Sequence, residues 1–392
     1  MHENSGWRQS RRWAGLLLFF LGSCLMSGCW DAGDVDLMSF PLATGYDLHI
    51  PLEEERPSQE ALGDMAPPCV EVTSLIPNLM PDVEPKERIE TVAASTVAYT
   101  REIREYGDDS VYFPGTLQAI VIGRNMAEQG IRRQLDSLNR LNMMSSGIFV
   151  CLAEGRAEEI LRTEVESNRN IAYYLKEMFR DLHERMYLTP ATLFEFVTNL
   201  GEGKNPVLPL VGVRDGKVEV VGCGVFEKEK LLATLNMRDS RKLTLLRGRS
   251  CVGYLPYRLP GEGEAFDAGT LRLRNERTVQ TEKDEKGWHF TVQVFLDGSI
   301  IERENVFRVK DYTNESLREI EEAVETEMNR ELTDFVRWMQ RELGTDCIDL
   351  CRFALAKERK ALRGIIDTPE FLRQADIRVE THVRLRNWGE KE

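Results

Sequence analysis

Ala14 to Leu25 is a run of twelve almost wholly apolar residues, with Arg8, Arg11 and Arg12 before it and Met26-Ser27-Gly28-Cys29-Trp30-Asp31 after it. A membrane-spanning helix needs about 20 such residues, so this run is too short to cross a bilayer. A basic flank, a short apolar stretch and small residues before a cut site are the parts of a secretory signal peptide. Cys29 then has a chemical meaning. Its sulfur can be alkylated by a diacylglyceryl group, and cleavage before it leaves a lipidated cysteine as the first mature residue. The expected arrangement is a signal peptide over residues 1–28, a lipid-anchored Cys29, and an extracytoplasmic folded body from there on. Leu21-Gly22-Ser23-Cys24 is a rival cleavage site, but cutting there leaves an apolar region of only about seven residues, the low end of the usual range. A plain secretory signal with an incidental cysteine is the remaining reading.

The whole chain of 392 residues carries a formal charge of −14, and removing the basic leader makes the body more acidic still. An acidic body argues against nucleic acid as a partner, because phosphate contacts need a basic face. It argues equally against a polybasic hold on anionic lipid, so the membrane contact falls to the acyl chains. With 42% apolar residues the body has enough material for two or three cores. Cys69, Cys151, Cys223, Cys251, Cys347 and Cys351 remain, and most sit in apolar runs such as Phe149-Val150-Cys151-Leu152, where a buried thiol is expected. Cys347 and Cys351 are four apart and would share a helix face. They could be free, bridged or metal-bound, although no histidine lies nearby.

Hydrophobic spacing gives a mixed order of elements. Asp36–Asp47 reads as a strand ending near Gly45, residues 51–68 as an acidic, proline-rich loop, and Val70–Ile76 as a strand. Arg88–Tyr106 places Ile89, Val92, Thr96, Tyr99 and Ile103 at steps of three and four, which predicts one amphipathic helix. Thr116–Gly123, Asn125–Leu141 and Gly147–Ala153 form a strand–helix–strand unit of parallel type, with a further helix from Ala157 to Arg162. Its turn, Gly123-Arg124-Asn125, lacks the glycines of a phosphate-binding loop. Asn170–Met186 and Thr192–Leu200 read as helices, the second with Thr189-Pro190 as its start. The break Gly201-Glu202-Gly203-Lys204-Asn205-Pro206 is taken as a boundary between an N-terminal part, 29–205, and a C-terminal part, 206–392.

Beyond the break, Val207–Val213 and Lys217–Phe226 flank Asp215-Gly216, a tight-turn pair. Lys228–Leu235 is a short helix or strand, and Arg238–Leu246 is a helix. Ser250–Arg258, Thr270–Thr278, Trp288–Leu296 and Ile300–Val309 read as four strands. Glu315–Leu343 is the longest helix, with Leu317, Ile320, Val324, Met328, Leu332, Phe335 and Met339 on one face. Leu350–Arg363 and Pro369–Arg373 are helices, and Ile377–Leu385 alternates as a final strand. The expected fold class is α+β, with two to three mixed domains and a C-terminal antiparallel sheet packed by the 315–343 helix.

No catalytic pattern emerges. His49, His183, His289 and His382 stand apart, without metal-ligand spacing, and neither G-x-S-x-G nor H-E-x-x-H occurs. The acidic clusters Glu53-Glu54-Glu55, Asp108-Asp109 and Glu321-Glu322 read as solvated loops or an outer helix face. The expectation is a protein that is not an enzyme, with no metal or cofactor.

Gly28-Cys29-Trp30-Asp31, followed by a strand ending in Thr44-Gly45-Tyr46-Asp47, resembles the start of the Ger(x)C family, the lipoprotein C subunits of spore germinant receptors. Gly115–Gly123 with Ala127–Ile131, and Val221-Gly222-Cys223-Gly224-Val225-Phe226 with Glu227–Leu231, are similar to two further family segments. After its long helix the family has Thr-Asp-x-x-Gly-Phe-Gly. Here Thr345-Asp346 are followed by Cys347-Ile348-Asp349-Leu350-Cys351. The resemblance implies a lipid-anchored subunit on the outer face of the spore inner membrane, beside membrane-embedded A and transporter-like B subunits, with no small-molecule ligand of its own. The alternative is a solute-binding lipoprotein of a transporter, which would show two alternating α/β lobes throughout.

Overall fold

The structure is a computed structural model that describes residues 13, 37–50, 69–78, 85–108, 110–139, 145, 147–165, 170–182, 185–186, 191–202, 204–248, 250–260, 266–305, 314–362 and 368–386. The signal segment (Trp13 apart), Cys29, the 51–68 loop, Thr189-Pro190 and His183 lie outside the described residues.

The first elements are β1 (Met38–Ser39), β2 (Ala43–Leu48), β3 (Val70–Pro77), β4 (Glu87–Ala94), α1 (Tyr99–Gly107), β5 (Val111–Tyr112) and β6 (Ala119–Ile122). Next come α2 (Arg124–Gln129), α3 (Arg132–Asn139), β7 (Phe149–Ala153), α4 (Ala157–Arg162), α5 (Ile171–Leu182), β8 (Ala191–Thr192) and α6 (Leu193–Gly201). β9 (Val207–Arg214), β10 (Lys217–Glu227) and β11 (Lys230–Asn236) complete this part. One sheet runs β11–β10–β9–β7–β6–β2–β3–β4, with β8 beside β7. Its centre, β9–β7–β6–β2, is parallel, and both flanks are antiparallel hairpins. The parallel strands are buried on both faces, which is why Ala119–Ile122 and Phe149–Ala153 read as unbroken apolar runs. Residues 201–206 do not end the sheet, because β9 beyond them pairs with β7 through Leu152–Leu210 and Ala153–Val211.

The single helix expected over 88–106 is two elements. Residues 87–94 are the edge strand β4, paired with β3 from Val70–Ala94 to Pro77–Glu87, and only Tyr99–Gly107 is helical. The three-four spacing of Ile89 and Val92 competes with partners on β3, Leu75 opposite Ile89 and Val72 opposite Val92, and pairing prevails. Gly130, at φ 115°, splits the helix expected over 125–141 into α2 and α3. α6 starts from Thr192, whose side chain accepts the Glu195 N–H while Glu195 returns a bond to the Thr192 N–H. Asp215 and Gly216 both have positive φ, as the twist-matched two-residue hairpin turn requires.

The remainder holds α7 (Met237–Arg247), β12 (Cys251–Pro260), β13 (Phe266–Asp284), β14 (Gly287–Asn305), α8 (Asn314–Trp338, continued by one wide turn to Leu343), α9 (Cys351–Leu362), α10 (Pro369–Gln374) and β15 (Asp376–Leu385). β12, β13 and β14 are antiparallel, and β15 joins β14 in parallel. Two strands expected separately over 288–296 and 300–309 are one strand as far as Asn305, and residues 306–309 lie outside the described residues. Asp297-Gly298-Ser299 looks like a turn but stays in register with Arg274, Leu273 and Arg272. The alternating inner residues of this sheet pack against Ile320, Val324, Met328, Leu332, Phe335 and Met339 of the long helix. That core continues onto one face of the nine-stranded sheet. A second core on its other face gathers Met126, Phe196 and Phe226.

α8 also guards an edge. Among the described residues no further strand pairs with the outward N–H groups of β15: Val383 N donates to Glu325 Oε1 at 2.7 Å and Leu385 N to Glu321 Oε1 at 2.6 Å. Four helical residues advance about 6 Å and two strand residues about 6.6 Å, so the carboxylates keep step with the strand. Glu321 is therefore not merely a solvated outer-face residue. Replacing both, Glu321→Ala with Glu325→Ala, is expected to expose a pairing edge. Light scattering should then show concentration-dependent association, and a strictly monomeric variant would refute the guarding role.

Candidate functional site

Two buried polar clusters collect the residues that stood out in the sequence. The first forms where β2 ends. Asp47, 3% exposed, turns its carboxylate to the start of α4 and accepts Ala157 N–H at 2.8 Å and Glu158 N–H at 2.9 Å. Burial lifts its pKa above the usual carboxylate range, although these N–H groups and Arg156 oppose the shift. Two glycines make room. At Gly45 an added Cβ would press on Ala157, and at Gly123 it would lie 1.9 Å from Asp47 Oδ1. Thr44-Gly45-Tyr46-Asp47 and Gly123, singled out in separate tracts, thus meet at one joint. Around it Arg156 bonds Glu71 and Glu158, His49 Nδ1 lies 2.8 Å from Glu71, and Arg162 and Thr91 reach Glu158. The cluster pins α4 to β2, β3 and β4. Glu71 and Glu158 are already engaged by arginine, so the arrangement is a clamp rather than an acid–base pair.

The second cluster is the seam between the two sheets, and its centre is the divergent segment Thr345–Cys351. Asp346 accepts Ile348 N–H at 3.1 Å and Cys351 N–H at 2.7 Å, and the Cys351 thiol as well. This carboxylate nucleates α9. Burial, with Asp349 adding to it, raises the Asp346 pKa. Asp349 takes a left-handed φ of 56° and is paired with Arg247, its Oδ2 3.0 Å away. Arg247 also donates to the carbonyls of Asn205 and Cys347, and Arg277 donates to those of Leu246 and, at 2.7 Å, Ile348. Burial pushes the Arg277 pKa down to about 10. Asn205 Nδ2 donates to the Asp346 carbonyl at 3.0 Å, and Thr345 Oγ1 to Glu227 at 3.4 Å. The segment therefore ties the 201–206 connection, the β10–β11 turn, the end of α7 and β13 together.

Cys347 and Cys351 do not share a helix face. Cys347 precedes α9 and Cys351 is its first residue, because the Asp346 carboxylate starts the helix only there. Cys151, Cys223 and Cys347 are buried, and burial raises each thiol, Cys223 to about 11. Cys69 is exposed and donates to Ser95 O at 2.9 Å. Among the described residues no three His, Cys, Asp or Glu side chains converge as a metal site would need. His289 lies between Asp284 and Asp376, which raise its pKa, and His382 stacks on Phe295.

Spacing alone missed Arg247 and Arg277, which looked like ordinary charges at a helix end and on a strand. The one available signal was the departure after Thr345-Asp346.

Comparison with known proteins fits this layout. The family profile described as Spore germination protein N-terminal domain matches residues 31–213, and the one described as Spore germination B3/GerAC like, C-terminal matches residues 221–389. Spore germination protein GerQC of Bacillus cereus is 20% identical over 249 residues, 63% of this chain and 68% of that protein. Spore germination protein A3 of Bacillus subtilis is 22% identical over 298 residues, 73% of this chain and 74% of that protein. The crystal structure of the GerBC protein superposes with a TM-score of 0.57 at 13% identity, over 90% of this chain and 100% of that one, a likeness of fold. Two profiles in family order along one chain, over the same α+β architecture, make this protein a member of the Ger(x)C family of spore germination proteins.

Proposed function

We propose that the chain is the lipid-anchored accessory subunit of a nutrient germinant receptor, held on the outer face of the spore inner membrane by Cys29. In this reading it stands beside the membrane-embedded A and transporter-like B subunits, binds no nutrient itself and catalyses no reaction. Membership of a spore germination family carries the proposal, with the two profiles spanning residues 31–213 and 221–389. Two further observations support it. Among the described residues no helix is long and apolar enough to cross a membrane, so attachment in this reading rests on Cys29. The buried polar clusters act as struts between elements.

Cys29→Ala is expected to move the protein from the spore membrane fraction to the soluble fraction and to abolish the response to nutrients. Germination by a route that bypasses receptors should be unchanged. A variant that stays membrane-bound and germinates normally would remove the anchoring role. The solute-binding alternative makes the opposite prediction in a melting assay, since a cognate nutrient at a hundred times its Kd would stabilise a binding protein by about 2.7 kcal/mol.

A further inference from the structure

The inner face of the four-stranded sheet is covered by α8, but its outer face carries a cluster unlike the rest of this acidic chain. Arg274 on β13, Asp297 on β14 and Arg384 on β15 are direct cross-strand neighbours. Arg386 Nε holds Asp297 Oδ1 at 2.8 Å, and these arginines keep that carboxyl below its usual range. One pair along, Tyr254 faces Arg272, and on the other side Glu276, Phe295 and His382 form a row, with Phe295 and His382 stacked at 5.1 Å. Tyr254 is 44% and Phe295 37% exposed. A groove of about 790 Å³ runs between Arg274, Phe295, His382 and Arg384.

We propose that this outer face is a docking surface for an acidic segment of a neighbouring protein, its carboxylates taken by Arg272, Arg274 and Arg384 and its apolar side chains by Tyr254 and Phe295. Charge complementarity gives the sign of the partner: four arginines here face two carboxylates, in a chain whose formal charge is −14. Asp297 shows the mode of binding, since it already sits among three arginines as an incoming carboxylate would. The residue types favour a protein over a bilayer. Arginine, tyrosine and other aromatics are enriched at interface centres, where lysine is depleted, and this cluster holds no lysine. The rest of the acidic body would also be repelled by an anionic bilayer, whereas a protein contact acts within the Debye length of about 8 Å.

The inference rests on the receptor reading, and it names the surface that reading leaves open. The test places a photoreactive amino acid at position 295 of the full chain and irradiates intact spores. Mass spectrometry then identifies what is joined to it. The expected result is an adduct with an Asp- or Glu-rich peptide of a different polypeptide, lost in Arg274→Glu with Arg384→Glu, together with at least a tenfold slower response to nutrients. Arg274→Gln with Arg384→Gln, which removes the charge but leaves a polar side chain able to donate hydrogen bonds, should weaken both effects in the same direction and guards against a folding failure. An adduct with phospholipid, an adduct that survives charge reversal, or no adduct at all would overturn the proposal. The two readings fail separately. Normal germination of Cys29→Ala sinks the anchored-receptor reading whatever adduct forms. A missing adduct in a membrane-bound, germinating chain sinks only the docking surface.

Discussion

Gly222→Ala should destabilise the protein by about 3 kcal/mol or more, the upper part of the range for overpacking a dense interior. Gly222 lies in the middle of β10, paired with Leu210 of β9 on one side and Asn236 of β11 on the other, next to a register shift. A Cβ built there would stand 1.8 Å from the Leu235 carbonyl oxygen and 2.9 Å from its carbon. Both obstacles are backbone of a paired strand, so neither can rotate away as a side chain would. A glycine in a strand interior commonly marks a bulge or a close backbone approach, and here it marks both. At an unfolding entropy of about 2.1 cal/mol/K per residue, the melting temperature of a chain of 392 residues should fall by about 4 °C or more. A loss under 1 kcal/mol would mean that β11 can move aside and that the bulge is not a fixed feature.

The second large effect is expected at the seam. Arg247→Ala removes the partner of Asp349 and the donor to the Asn205 and Cys347 carbonyls. Each side chain of the pair keeps only about a tenth of its surface in water, 10% for Arg247 and 12% for Asp349. Removing one member of a buried pair costs about 3–5 kcal/mol, mostly by stranding the other charge, and the residual exposure places this case near the low end. Arg247→Met with Asp349→Asn leaves no charge stranded, and asparagine tolerates the left-handed backbone at that position. The double variant should therefore be more stable than Arg247→Ala alone. Urea unfolding followed by tryptophan fluorescence measures both. A double variant no better than the single would show that the carbonyl contacts, not the ion pair, hold the seam.

How far the sequence revealed this arrangement depended on how local the physics was. Periodicity located α8 almost to the residue, because Leu317 to Met339 bury one continuous helical stripe and Gly344 ends it at φ 68°. The hairpin at Asp215-Gly216 was equally visible, since its turn chemistry is contained in two residues. β4 was not. As an edge strand it is half-exposed, and its spacing satisfies a helix as well as a sheet until β3 is laid beside it. The merging of two expected strands into β14 has the same origin. Asp297-Gly298-Ser299 carries turn residues, yet Gly298 is needed where a side chain would meet the Arg272 carbonyl at 1.8 Å. The polar clusters were legible only in part. Asp47 stood in a recognisable tract, but its partners at Ala157 and Glu158 lie more than a hundred positions away, and nothing local announces such a bond. Two family motifs that lie in separate tracts, Thr44–Asp47 and the turn at Gly123, thus form one joint.

The C-terminal family segment begins at residue 221, inside β10, so most of β10 and all of β11 belong to it although both strands complete the first sheet. A chain is made from its N-terminus onward and its units tend to fold as they appear. This first sheet cannot close on that schedule. Until Glu227 has emerged, β9 is an open edge with no neighbour on its outer side, and until Asn236 follows β10 is that edge, the condition in which a strand is prone to pair with a stranger. The conventional cut between the two family segments is therefore poorly placed for expressing either half. A fragment ending at Arg214 carries the exposed edge permanently, and one beginning at Val221 carries two strands with no sheet to join.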